Sequence, residues 1–277
     1  MGHDPNRGGD VPSRVPLMTL IGSPAQRILC TTSLVFARSA RKNQVVCGLS
    51  QQIEDRMDTV GILTIGQSPR PDFEQLFQRH LPGVTLVVRG ALDGLPAETI
   101  DAMAAAGGEY PLFTILRDGT TREISLYRIK PLLDERAREV AAEGAAVAAL
   151  MCAGNFPELD SPIPILYPSR LLSAVVRGVC RGDRIGIVLP NAGQVESAKA
   201  HWRERGFAVK TAVASPKDPA ALTRAAKELD DSDLELIVLD CMGFPPEEAR
   251  RMRALCGRPV LCPQGVLPRI MAEVLGV

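Results

Sequence analysis

The chain has 277 residues, 32 basic and 32 acidic side chains, and 45% hydrophobic residues. That length is enough for two domains of ordinary size. Balanced charge gives no footprint for nucleic acid or a membrane surface as partner, and no run of about 18 apolar residues occurs that could form a transmembrane helix.

The first 56 residues differ from the rest. They hold seven basic and four acidic side chains among scattered Gly, Pro, Ser and Arg, without lasting periodicity. They read as a disordered extension. An apolar stretch from Leu29 to Ala37 gives a weaker targeting reading, since it lacks the order of a charged start, apolar core and cleavage site.

From Met57 onward strand-like and helix-like segments alternate, the pattern of an α/β protein with largely parallel sheets. Strand 60–65 is followed by the loop Gly66-Gln67-Ser68-Pro69-Arg70, helix 72–80 and strand 85–90. A helix is expected over 96–106. Segments 112–116 and 123–128 flank Arg-Asp-Gly-Thr-Thr, a hairpin signal, and helix 132–143 leads to strand 145–151. A second set follows: strand 164–167, helix 170–180, strand 184–189, helix 194–205, strand 208–214, helix 219–229 and strand 236–239. Helix 246–255, strand 259–261 and helix 267–275 complete the chain. Two doubly wound parallel-sheet domains are expected, one from 57–168 plus 259–277 and one from 169–258.

The halves correspond. Val-Gly-Ile-Leu-Thr-Ile-Gly at 60–66 parallels Ile-Gly-Ile-Val-Leu-Pro-Asn at 185–191. Each half then delivers a cysteine from an apolar strand into a Gly/Phe/Pro turn: Cys152 before Ala-Gly-Asn-Phe-Pro, and Cys241 before Met-Gly-Phe-Pro-Pro. The carboxyl ends of parallel strands face the ligand crevice of open α/β sheets. The pair therefore reads as an acid/base site, the alternative being two inert buried thiols.

The other cysteines, Cys30, Cys47, Cys180, Cys256 and Cys262, form no CxxC pair and no Cys/His cluster. Neither a disulfide framework nor a zinc site is indicated, and a reducing, cytoplasmic setting fits. His3, His80 and His201 stand in no motif. The latter two read as surface helix residues, which makes a histidine-based triad improbable.

Three motifs carry a family resemblance: Leu-Thr-Ile-Gly at 63–66, Pro-Ser-Arg at 168–170 and Leu-Asp-Cys-Met-Gly-Phe at 239–244. Residues 57–277 resemble the AroM family, a branch of the aspartate/glutamate racemase superfamily. The resemblance implies two doubly wound domains related by a pseudo-twofold axis with the site between them. It further implies cofactor-independent chemistry beside a carboxylate, as in the racemases, isomerases and decarboxylases of the superfamily.

Moving a proton on carbon beside a carboxylate without a cofactor needs a base on one face and an acid on the other. Paired thiols suit this, and a thiol pKa falls beside a helix N-terminus. Cys152 and Cys241 are the catalytic candidates. Ser68 and Arg70, with neighbouring Gln67, are candidates to hold a carboxylate. Pro168-Ser169-Arg170 reads as a helix entry with Ser169 at or near the N-cap, and Arg170 beside it is a second candidate anion-binding group. Asn155, Asn191 and the backbone at Gly243 lie in strand-end turns where they could donate to a substrate oxygen. Asp240 is expected on the opposite side of its strand from Cys241 by period-two alternation.

The expected function is a racemase or isomerase acting on a small carboxylic acid, with neither metal nor cofactor. A single-cysteine decarboxylase or lyase, and a non-catalytic small-acid-binding protein, are the alternatives. The sequence leaves the oligomeric state open, a homodimer included.

Overall fold

The computed structural model describes residues 59–277, so the expectations for residues 1–56 lie outside the described residues. Strand β1 (Thr59–Thr64) runs parallel between β2 (Thr85–Gly90) and β5 (Val147–Leu150), and β6 (Ile165–Leu166) extends the far edge. In the second sheet β7 (Arg184–Leu189) lies between β8 (Ala208–Val213) and β9 (Leu236–Leu239), followed by β10 (Val260–Leu261). Orders β2-β1-β5-β6 and β8-β7-β9-β10 are one topology used twice. The central strands are buried along nearly their whole length, as their unbroken apolar runs require.

Helices α1 (Pro71–Gln78), α2 (Ala97–Asp101), α3 (Leu126–Ala142), α4 (Pro168–Val179), α5 (Val195–Glu204), α6 (Pro219–Glu228), α7 (Pro246–Cys256) and α8 (Pro263–Leu275) connect and cover the sheets. Five of them open on proline, whose fixed φ suits the first helical turn and whose missing N–H is not needed there. Asp218 caps α6 by accepting from the Ala220 N–H at 2.9 Å. The two faces of the first sheet are covered by separate apolar clusters, one around Leu63, Ile129 and Leu150, the other around Ile62, Phe77 and Met271. The second sheet repeats this, with Leu239 and Met252 on one face and Ile187 and Trp202 on the other.

Three elements differ from the sequence expectation. The helix expected over 96–106 stops at Asp101. Ala104 bridges to Ile124, and the Ala105 N–H donates to the Glu123 carbonyl at 3.1 Å, so tertiary pairing with a hairpin overrides alanine's helix preference. That hairpin, β3 (Pro111–Ile115) and β4 (Thr121–Ser125), turns at Gly119 with φ +80°. Helix α3 begins at Leu126, six residues early, because Leu126, Ile129 and Leu133 form one buried stripe. At the C-terminus, residues expected wholly with the first half divide. β10 pairs with β9 in the second sheet, while Leu267, Met271 and Leu275 of α8 pack with Val60 and Phe73 of the first half.

The central strands carry matching glycines. A Cβ at Gly61 would stand 2.7 Å from Val140 Cγ2 on α3, and one at Gly186 would stand 3.0 Å from Ile237 Cγ1. At Gly61 the backbone must come close to the helix that covers it, and at Gly186 to a side chain of the neighbouring strand β9. Gly61→Ala is expected to overpack this contact by about 1–3 kcal/mol, lowering Tm by several degrees in a thermal melt. Adding Val140→Ala should recover part of that loss. An unchanged Tm for Gly61→Ala would show that the contact has room to yield.

Candidate functional site

Each cysteine is delivered by the third strand of its sheet. β5 ends at Leu150, and the next N–H, that of Met151, donates to the Leu63 carbonyl on β1 at 2.7 Å. β9 ends at Leu239, and the Asp240 N–H donates to the Val188 carbonyl on β7 at 2.8 Å. Cys152 and Cys241 are the following residues and line a single pocket of about 160 Å³. Every loop on this pocket leaves the carboxyl end of a parallel strand. Gly66 follows β1, Pro190 follows β7, Pro216 and Lys217 follow β8, and Met242 and Gly243 follow β9. Arg70 and Phe73 at the start of α1 complete the first half's share.

The hairpin supplies an apolar wall of Leu112, Phe113 and Ile115. Two polar contacts tie it to the second half: buried Gln194 donates to the Pro111 carbonyl at 2.9 Å, and Lys217 Nζ donates to the Gly119 carbonyl at 3.1 Å. Glycines hold the loops close. A Cβ at Gly66 would stand 2.3 Å from the Ile115 carbonyl oxygen, and one at Gly243 would stand 2.7 Å from Pro216 Cγ.

Both thiols are neutral at physiological pH. Burial pushes each to about 12, against opposing hydrogen bonds from the Gly154 N–H to Cys152 and from the Gly243 N–H to Cys241. The 3.3 Å Gly243 contact is short for sulfur. Negative charge on Asp240 raises both thiols further. The expected lowering by a helix N-terminus does not prevail: the net shift of both thiols is upward, with burial the largest cause. Asp240 is itself raised by burial to about 6, with Trp202 Nε1 donating to its carboxylate at 3.4 Å. Burial also raises the phenol of Tyr110, with Cys152, Asp240 and Cys241 adding to the shift.

Arg70 and Lys217 are the cationic side chains on the pocket. Arg70 stacks on the Phe73 ring at 3.8 Å and gives Nε and Nη2 to Asp72, at 2.9 and 2.6 Å. Its Nη1 has no hydrogen-bond partner among the described residues and is the atom available to an incoming carboxylate.

Of the residues proposed from sequence, Cys152, Cys241, Arg70 and Gly243 meet on the pocket. Gln67 and Ser68 do not line it. Gln67 is bound to the Leu92 carbonyl and the Arg117 N–H, while Ser68 gives both its N–H and its hydroxyl to Asp93, at 2.7 and 2.6 Å. They shape the loop that presents Arg70. Ser169 lies in the first turn of α4, near its N-terminus as expected, with Tyr167 in the N-cap position and Pro168 opening the helix. Ser169 borders a small cavity beside the pocket, as does Asn155. Arg170 lies exposed over the Tyr167 ring at 4.1 Å. The Asn191 amide is buried without a partner among the described residues, between pocket residues Pro190 and Gln194, but does not itself line the pocket.

Asp240 lines the same pocket as Cys241, contrary to the alternation argument. Period-two alternation ends with the strand at Leu239, and the Cys241 N–H folds back to the Leu239 carbonyl at 2.9 Å, turning both side chains the same way. His201 is likewise not on the surface: α5 buries it edge-on to Trp202, and burial lowers it to about 4. Tyr110, Gln194 and Lys217 carry no local motif. They are recruited by tertiary contacts that only the folded chain reveals.

Comparison with solved structures supports the fold. A doubly substituted arylmalonate decarboxylase in a liganded form superposes with TM-score 0.56 at 14% identity, covering 79% of this chain and 92% of that one. A glutamate racemase isoform from Bacillus anthracis gives 0.55 at 13%, covering 79% and 82%. The maleate isomerase of Pseudomonas putida S16 gives 0.53 at 14%, covering 79% and 94%. The two parallel four-stranded sheets flanked by helices are thus the aspartate/glutamate racemase fold. No curated protein matches the sequence. The family model described as AroM protein matches residues 60–275, both sheets and both cysteine-bearing strand ends included, and the chain belongs to the AroM family.

Proposed function

We propose that this protein moves a proton on the carbon next to the carboxylate of a small acid, without a cofactor, as a racemase or isomerase. One observation carries the reading: two cysteines, at equivalent positions of two topologically equivalent sheets, line one pocket. In this reading one sulfur, as thiolate, takes the proton from carbon, and the thiol of the other gives its proton to the opposite face. The reverse reaction exchanges their roles. Arg70 Nη1 holds the carboxylate, and the apolar hairpin wall excludes water from the carbanion-like charge.

A second reading is favoured by the raised thiols. A thiol near 12 is a poor source of thiolate, but it stays protonated through the neutral range, as a proton donor must. A decarboxylase or related lyase needs only that donor, protonating the carbanion left as CO₂ departs. The fold relatives include both a decarboxylase and a racemase, so the chemistry must be decided on this chain.

Cys152→Ser and Cys241→Ser, assayed by loss of optical rotation and by solvent deuterium entering Cα across a panel of small carboxylic acids, separate the readings. Racemisation predicts that each change lowers the rate by roughly 10²-fold or more, with deuterium exchange surviving for one enantiomer only. Decarboxylation predicts CO₂ release and sensitivity to one cysteine alone. Full activity in both variants removes cysteine chemistry altogether.

The pH profile gives an independent check. Because burial raises the thiols to about 12, the thiolate fraction climbs with pH throughout the neutral range. For a thiolate base, kcat/KM should rise about tenfold per pH unit from 7 to 9 without levelling. A plateau below pH 8 would assign the base to another group. For a thiol proton donor the same range should be nearly flat.

A further inference from the structure

Behind the cysteines lies a second cavity of about 10 Å³, bordered by Tyr110, Asn155, Ser169, Ser197, His201 and Asp240. That is room for about one water molecule. Asp240 borders both this cavity and the main pocket. On the far side, Tyr110, Asn155 and Ser197 also border an open surface groove of about 420 Å³ beside the exposed ring of Tyr127. The three spaces share walls in series, from solvent to the residue next to Cys241.

The polar groups along this series are incompletely matched. His201 is buried, and both its ring nitrogens lack a partner among the described residues. An unpartnered buried donor or acceptor costs about 1–3 kcal/mol, which a bridging water relieves. Trp202 Nε1 donates to Oδ2 of the Asp240 carboxylate, and Oδ1 accepts no hydrogen bond from the described residues.

We propose that this series is a rear proton passage, in which a water held between His201 and Asp240 carries protons between solvent and Asp240, and Asp240 exchanges them with the sulfur of Cys241. The proposal rests on the proton-transfer reading of the pocket. Each step balances: solvent gives a proton through the water to the Asp240 carboxylate, and the Asp240 carboxyl gives it to the Cys241 thiolate. The return step reverses this. Asp240 therefore acts on the reaction through Cys241, as a positioning and supply residue.

The surrounding charges are compatible with that role. Tyr110, Cys152 and Cys241 face Asp240 as neutral groups, His201 stays neutral with its pKa lowered to about 4, and Arg70 and Lys217 share the main pocket with it. Raised to about 6, Asp240 holds its proton at pH 5 and exchanges it readily near neutrality.

The test is infrared spectroscopy of the full-length protein at pH 5, following the protonated carboxyl stretch that Asp240→Asn removes. After rapid mixing into D₂O the proposal expects prompt exchange of this band. It expects at least tenfold slower exchange in Ser197→Leu and in Asn155→Leu, which narrow the passage from a half-buried and an exposed position, each shown by its melting curve to be folded. Equal rates in wild type and both variants would mean that the front pocket carries the exchange, and would overturn the passage. So would the absence of any band assignable to Asp240. The readout needs no turnover, so its failure leaves the cysteine reading intact, whereas failure of the cysteine variants removes that reading without touching this measurement.

Discussion

The site depends on where the third strand of each sheet stops. The Met151 and Asp240 N–H groups make the last bonds to the central strands, at 2.7 and 2.8 Å, and the chain then leaves the ladder. Those bonds fix the backbone one residue before each sulfur. The strands behind them are buried on both faces and cannot slip by a residue without exposing an apolar row. Each cysteine is therefore held by the most rigid part of its half, while the residues after it are loops free to vary with the ligand.

Duplication supplies the frame and departures from it supply the chemistry. Met151 and Asp240 occupy equivalent positions, one before each cysteine, and both line the pocket. One sulfur thus has a thioether beside it and the other a carboxyl. The hairpin is the second departure, an insertion between β2 and α3 with no counterpart between β8 and α6. Gln194 and Lys217 reach it from the second half, so the added wall also fastens the halves across the pocket.

Much of this was legible in the sequence. The buried strands announce themselves as apolar runs, two helix starts are legible at their prolines, Pro219 and Pro246, and the hairpin turn is written in Arg117-Asp118-Gly119. The matching contexts of Cys152 and Cys241 led to the pocket because strand order alone brings the ends of third strands together. What failed was inference about loop residues and helix faces from their local sequence. Alternation put Asp240 on the wrong side because the chain turns after Leu239. Ser68 looked like a ligand group because its partner, Asp93, is 25 residues away. His201 looked exposed because nothing local shows that α5 packs that face against Trp202. Polar residues in loops are chosen by partners distant in sequence, and a local reading cannot see them.

Electrostatics then limits what the pocket can do. Asp240, Cys152 and Cys241 lie close enough for the charge of Asp240 to raise both thiols. Ionised carboxylate and thiolate are therefore competing states of one site, each disfavouring the other. A substrate carboxylate would bring a further negative charge. Against these stand Arg70, partly neutralised by Asp72, and Lys217, engaged with the hairpin backbone. With a carboxylate ligand on Arg70, a thiolate is most accessible when Asp240 is protonated. The acid beside Cys241 thus limits how much negative charge the pocket can hold, and in the proposed reading that decides whether sulfur acts as base or as proton donor. A frame built twice from the same plan is made chemically directional by one carboxyl group.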